Sequence, residues 1–393
     1  MEIERIYREH APQIAASLAK AFGPARLDLI ESAVQEAFVA AIEQWGDTEP
    51  QRPAAWLHEV ARRRLIDALR RAAKFSPADD IDAPAAASDA FDDGDLLMMM
   101  FACCHPAIAV EGAVALALRT LCGFPIAALC RALRAEESAV EKRLARARAV
   151  LREESVEFAV EGDLDSVLRT LYVLFLEGYS AHAGAAQIDA ELCASAIRLC
   201  DLLLASRFAS PQVHALQALF LLQASRLAAR IDDQGDLIPL HAQDRARWDR
   251  DMIARGMHHL AAASSGDTLT AYHLEAAIAA CHALAPSYDA TDWPRIVELY
   301  DKLLARQPSP VVALQRAIAI GRASGARAGL RALEFVNLDD DPVLAAAQAE
   351  LSAQLGDTRT ARIAYQRALE LAATEPERRF LEAKLAALRT ESP

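Results

Sequence analysis

The 393-residue chain is poor in glycine, with 15, and in aromatic residues, at 6%. Its β-branched residues are scattered, so no alternating apolar and polar run reaches strand length, and a sheet protein is excluded. Residues of strong helix propensity fill the gaps between turns, which sets the expected class as all-α. No stretch approaches the roughly 18 uninterrupted apolar residues of a membrane span. The opening MEIERIYREH carries no apolar signal core, so neither secretion nor membrane insertion is expected. The seven cysteines (103, 104, 122, 130, 193, 200 and 281) are odd in number and irregular in spacing. They lie within helical patterns, where they act as small buried hydrophobes, and this fits a reducing cytoplasm. There is no Walker lysine motif, GxSxG elbow or HExxH helix, so no enzyme and no cofactor are expected.

What is present is charge, unevenly spread. The formal net charge of -13 would argue against a nucleic-acid partner if it were uniform. Residues 1–74 instead hold 11 basic and 11 acidic side chains, 75–98 hold none and 7, 99–152 hold 8 and 4, and the remainder 23 and 33. A balanced segment, an acidic one, a basic one and a long acidic one suggest several domains, as does the length.

Residues 52–74, RPAAWLHEVARRRLIDALRRAAK, predict one helix with two faces. Pro53 suits a first helical turn. Leu57, Ala61, Leu65, Ala68, Leu69 and Ala72 share an apolar arc, while Arg63, Arg64, Arg70, Arg71 and Lys74 lie opposite with Trp56 on their stripe. Cations neutralise phosphates and an aromatic ring stacks on an unpaired base, so this face suits DNA whose strands are separating. A solvated amphipathic helix is the plainer alternative. Before it, helices are expected over 2–22, ended by Gly23-Pro24, and over 27–45, with Val34, Phe38, Ala41 and Ile42 inward and Glu31, Gln35, Glu36 and Glu43 outward.

Residues 76–97, SPADDIDAPAAASDAFDDGDLL, read as an acidic flexible linker. MMMFACCHP then opens a domain and is too apolar for an exposed linker end. Adjacent Cys103 and Cys104 cannot easily share a tetrahedral zinc with His105, so no metal is expected. Residues 124–152 have helix-turn-helix spacing: Leu129, Cys130 and Leu133 pack the first helix, Val140 and Leu144 the second. The second helix would expose Ser138, Glu141, Lys142, Arg143, Arg146 and Arg148.

AVQEAFVAAIEQW followed by RPAAWLHEVARRRLIDALRR resembles region 2 of the bacterial sigma-70 superfamily in its compact extracytoplasmic-function form. The resemblance implies that the helix over 31–45 docks on core RNA polymerase through Val34, Gln35, Glu36, Phe38 and Trp45. It also implies that the helix over 53–74 meets the -10 element through Trp56, Arg63, Arg64, Arg70, Arg71 and Lys74. The loop over 46–52 would pocket a flipped-out base, which costs a few kcal/mol that protein contacts must offset. The helix-turn-helix segment is similar to sigma region 4, which implies major-groove contact at the -35 element through Ser138, Glu141, Lys142, Arg143, Arg146 and Arg148, although Arg134 stands where glycine often sits in the turn.

After 155–163 a long helical array follows, its helices bounded by Ser, Asp, Gly or Pro. LGDTRTARIAYQRALELA places Gly356, Ala361, Tyr365 and Ala368 at tetratricopeptide-like offsets. Asp232, Asp233, Gly235 and Asp236 mark a turn, a calcium loop being disfavoured by its early glycine. Asp244, Arg247, Trp248 and Asp249 are expected to fix an interdomain contact, against a merely local ion-pair cluster. Cys-Cys-His-Pro, FLEGY, QDRARWD, AAIAACHA and TDW are similar to the sigma-factor subgroup with a fused tetratricopeptide-like (TPR-like) extension, with Leu176 standing where that subgroup usually has Asn. The implied layout is region 2 over 1–75, linker over 76–97, region 4 over 98–155 and regulatory extension over 160–393. The implied partners are core RNA polymerase, promoter DNA and a protein engaged by the extension. A helix-turn-helix regulator with a TPR-like sensor is the alternative.

Overall fold

The computed structural model describes residues 2–45, 50–72, 93–133, 135–154, 158, 163–179, 190–232, 238–338, 340–372 and 375–390. Among them are 18 α-helices and no strand, so the fold is all-α. No described helix is long and apolar enough to cross a membrane. The chain divides into two compact units, one formed by Met1–Leu174 with Asp201–Phe208, the other by Phe175–Cys200 with Ala209–Pro393.

The first unit begins with α1 (Glu2–Phe22), α2 (Leu27–Trp45) and α3 (Pro53–Ala72). Gly23 at φ +86 turns the chain out of α1, and Pro24 starts a short 3-10 turn into α2. The three helices pack through Ile14, Leu18, Leu27, Ile30, Leu57, Ala61 and Leu65, none more than 1% exposed. Each large aliphatic buried this way contributes about 1.5 to 3 kcal/mol. His58 fixes α3 on α1, its Nε2 3.2 Å from Ser17 Oγ.

Next come α4 (Asp93–Cys103), α5 (Val110–Leu121), α6 (Ile126–Ala132) and α7 (Glu137–Glu153). The last five positions of the stretch read as linker therefore lie in α4, and Asp95 is buried there, 2.7 Å from Lys20 Nζ of α1. Residues 112–118 of α5 are all buried, as befits a helix apolar on every side and enclosed by its neighbours. Gly123, at φ +65, carries the turn into α6 past α1; a Cβ there would sit 3.0 Å from Tyr7 Cε1. Leu129, Val140 and Leu144 are buried as the helix-turn-helix spacing requires, whereas Cys130 is half-buried.

The apolar α4 is closed over by chain from beyond α7. Phe208 lies on Phe101, ring centroids 4.4 Å apart, and Thr170 of α8 (Leu164–Tyr179) sits 3.9 Å from Cys104 Sγ. Burial pushes the Cys104 thiol up to about 12 and the Cys103 thiol well above its usual range. Both are protonated core groups rather than ready ligands.

The second unit takes the end of α8 and most of α9 (Ala190–Leu204), then α10 (Pro211–Ala224), α11 (Arg250–Ala263) and α12 (Ala271–Leu284). It continues through α13 (Trp293–Arg306), α14 (Pro310–Ser324), α15 (Ala326–Leu333), α16 (Pro342–Gln354), α17 (Thr358–Leu371) and α18 (Glu375–Thr390). From α12 onward each helix packs on the next in sequence, the pattern of a helical array. Aspartates start these helices: Asp249, Asp292, Asp341 and Asp357 each accept a backbone N–H of the first turn, and each such cap contributes about 1 kcal/mol. Gly321 and Gly329 let α14 and α15 nearly touch, since a Cβ on Gly329 would fall 2.7 Å from Gly321 Cα.

Candidate nucleic-acid interface

On α2 the inner arc is mostly alanine, with Ala33, Ala37, Ala40 and Ala41 all buried. Val34 and Phe38 belong to that interior at 3% and 4% exposure, and the edge of the Tyr7 ring meets Phe38 at 4.8 Å between centroids. These two cannot face a partner, because contact with α1 already covers them. Ile42, expected inward, is 63% exposed, and Val39 is 54% exposed. The open face of α2 thus carries Gln35, Glu36, Val39, Ile42 and Glu43, two aliphatics among polar and acidic groups. Trp45 is half-buried and meets Trp56 edge to face at 5.3 Å.

On α3 the basic face is largely free. Arg63, Arg64, Arg70 and Arg71 are exposed. Glu59 accepts from Arg62 Nε at 3.0 Å and from Arg63 Nε at 2.7 Å; these bonds, Arg62's first, hold its carboxyl below the usual range. Arg64 approaches Glu36 of α2 only to 3.8 Å with both side chains about half exposed, a pair worth at most about 1 kcal/mol. Arg71 donates to the Asp67 carbonyl of its own helix. Trp56 does not project freely along the stripe: it is half-buried against Trp45, so a base could reach only the remaining ring surface. Lys74, and residues 46–49 of the loop assigned to a flipped base, lie outside the described residues.

On α7 the cations divide. Ser138, Glu141, Lys142 and Arg146 are exposed and Arg143 is half-buried. Arg148, expected on the DNA, instead forms an ion pair with Glu31 of α2, with side chains 22% and 13% exposed. Thr120 Oγ1 of α5 donates to the same carboxylate at 2.8 Å. Arg152 lies 3.6 Å from Asp28. The helix α7 is therefore packed on α2, and Arg148 is held in that packing. Glu31, read only as an outward residue of α2, is the side chain that this packing makes important.

Asp244, Arg247, Trp248 and Asp249 all lie in the second unit. Asp244 and Asp249 are exposed and accept backbone N–H groups of the short turn and helix that follow them, Arg247 is exposed, and Trp248 is buried at 3% exposure. Local capping accounts for both aspartates. Arg245, between them in sequence, was not singled out by the pattern, yet it makes the side-chain contacts of this segment: it lies 4.1 Å over the Trp248 ring and donates to the His282 carbonyl. Of the aspartates in the turn before it only Asp232 is described.

The α1–α3 helices, with a buried arc facing inward and a row of exposed arginines on the third, coincide with a sigma-70 region 2 match over residues 6–75. Residues 6–75 thus carry a region 2 domain of the sigma-70 superfamily, whose members are transcription initiation factors and not enzymes. It shares its protein family with an uncharacterized protein of Rhizobium meliloti, 36% identical over 97% of this chain and 94% of the relative. Residues 163–264 match a family of unknown function (DUF6596). No solved structure matches the chain.

Proposed function

We propose that the chain is an RNA polymerase sigma factor of the extracytoplasmic-function type, which binds core polymerase, recognises a promoter and assists its opening, acting in the cytoplasm. The carrying observation is that two exposed faces stand side by side on adjoining helices of a sigma-70 region 2 domain: Glu36, Val39, Ile42 and Glu43 on α2, and Arg63, Arg64, Arg70 and Arg71 on α3. The first suits a protein surface, since exposed aliphatics rimmed by charge are the composition of a docking patch. The second suits a DNA backbone. Contacts to the -35 element fall to Ser138, Glu141, Lys142, Arg143 and Arg146 of α7, and Arg148 joins them once its pairing with Glu31 is broken.

The helical region over 160–393, whose array runs from α12 to α18 at its end, acts as a TPR-like regulatory extension engaging a protein partner. Support comes from α17, where Ala361, Tyr365 and Ala368 are buried at the expected offsets and Gly356, at φ +76, ends the preceding helix. The exposed polar face of α7 favours a second reading, a one-component helix-turn-helix regulator.

Co-purification with core polymerase separates the two. Because Ile42 and Glu36 are exposed, the double variant Glu36→Arg, Ile42→Glu should keep its helical circular dichroism and lose the polymerase. Undiminished binding by the folded variant would contradict docking through α2, and sequence-specific duplex binding without polymerase would favour the regulator.

A further inference from the structure

The second unit is acidic in composition, yet it gathers arginines that no carboxylate neutralises. Arg226 and Arg230 both lie over the Tyr179 ring, at 5.4 and 3.9 Å. Tyr179 Oη donates to Gln223 Oε1 at 2.6 Å, and Arg226 Nη2 donates to the same oxygen at 3.3 Å. Arg230 donates to the Tyr179 carbonyl. The short turns Leu227–Ala229 and Arg245–Arg247 pack on each other, and Asp249 N–H donates to the Ser225 carbonyl at 2.7 Å, which brings Arg245, stacked on Trp248, toward Arg226; its pKa is lowered first by burial and then by Arg226 and Arg250. His282 is pushed down to about 4 by burial and by Arg226 and Arg245. None of Arg226, Arg230, Arg245 and Arg250 pairs with a carboxylate among the described residues.

The same place holds polar atoms that are out of solvent and without a partner among the described residues: Arg245 Nη2, Trp248 Nε1 and His282 Nδ1. A buried group left so costs about 1 to 3 kcal/mol, more when it is charged. Like charges held close in a site of reduced dielectric add to that cost. Stacking on Tyr179 and Trp248 and the bonds to backbone carbonyls offset part of that cost, and an anion set between the guanidinium groups removes the remaining repulsion and accepts from unused donors.

We propose that Arg226, Arg230 and Arg245, on the scaffold of Tyr179, Gln223 and Trp248, form a binding site for a small oxyanion, the phosphate or carboxylate group of a metabolite. Planar guanidinium forks match the paired oxygens of either group. The stacking on Tyr179 and Trp248 holds the forks in place before the ligand arrives, which lowers the ordering cost of binding. All three arginines fall within the 163–264 match to the family of unknown function. The site stands on the second unit alone and does not rest on the promoter reading.

Thermal unfolding of the intact chain tests it, with sodium phosphate and sodium succinate titrated separately at constant ionic strength. The expected result is a saturable rise in Tm with at least one anion, the tighter of the two identifying the group bound. Arg226→Gln and Arg245→Gln should each weaken the midpoint about tenfold or more, the loss expected for one charge-assisted contact. Arg331→Gln, an exposed arginine of α15, should leave it unchanged. Arg226 is half-exposed, so its variant decides the matter if Arg245→Gln fails to fold. No saturable response to either anion, or a wild-type midpoint in folded Arg226→Gln, would overturn the site.

Discussion

The two helices assigned to DNA, α3 and α7, carry similar numbers of cations and dispose of them differently. On α3 the arginines stand on an open face, and their carboxylate partners lie on α3 itself or in a weak pair with α2. On α7 the cations nearest its C-terminal end are spent on α2, with Arg148 on Glu31 and Arg152 on Asp28. Exposed pairs within a helix are worth a few tenths of a kcal/mol and yield easily to phosphate. A half-buried pair that also takes a hydrogen bond from Thr120 yields only when the helices separate. One row of cations is thus open to solvent, and the other is partly committed to holding the unit closed.

The strongest way to break the comparison is to remove what supports both helices. A chain ending after Glu154 loses Thr170 and Phe208, which cover Cys104 just past α4 and Phe101 within it, and loses the segment 201–208 that belongs to the first compact unit. It should aggregate or lose promoter-dependent transcription altogether, measured in vitro beside the intact chain at matched soluble concentration. Full activity would show that α4 needs no cover.

That dependence was partly legible in the sequence. MMMFACC is more apolar than a free linker end tolerates, which called for a covering segment; that Phe208 and Thr170 supply it depends on contacts far apart in the chain. Helix limits at Phe22, Trp45 and Pro53 were readable because glycine, proline and the change of periodicity mark them. The facing of α2 was less so. Its buried arc is centred on small alanines; Val34, Phe38 and Ala41 lie inward as expected, but Ile42, read onto the same face, sits at the edge of that arc and is exposed. The Glu31–Arg148 pair, 117 residues apart, and the Arg226–Arg245 cluster carry no local signature at all.

A smaller effect separates the free cations of α7 from the bound one. Arg143→Ala or Arg146→Ala should each weaken upstream duplex recognition by about 1 to 3 kcal/mol, if each makes a base contact. Glu31→Gln should act in the opposite direction, costing the folded unit about 1.5 to 3 kcal/mol, the range for a hydrogen bond to a charged group, while freeing Arg148 and raising duplex affinity. Band shifts of the holoenzyme on upstream duplex, read with denaturant melts, check both. Equal duplex affinity for Glu31→Gln and wild type would show that Arg148 has no part in recognition.

The smallest expected effect concerns pH and the second unit. Burial, with His214, His258 and Arg255 nearby, pushes His259 down to about 4, and His282 is lowered to a similar value. Both rings are neutral when folded, and an unfolded imidazole takes up its proton near 6.5. Their contribution to stability is therefore complete above about pH 6.5 and is lost as pH falls toward 4. His259 Nδ1 lies 2.9 Å from His214 Nδ1, a contact in which one nitrogen must be unprotonated. His259→Gln should flatten the acid limb of a Tm-against-pH curve, and an unchanged limb would contradict the assignment.

The most direct test of the central claim, that this chain and core polymerase together open promoter DNA through α3, is permanganate reactivity of thymines in the -10 region. Reactive thymines should appear when the chain and core polymerase are both present and with neither alone, and holoenzyme carrying Trp56→Ala should show them strongly reduced while still binding the upstream duplex. No reactivity in the complete mixture at a promoter this chain selects, or equal reactivity with Trp56→Ala, would contradict it.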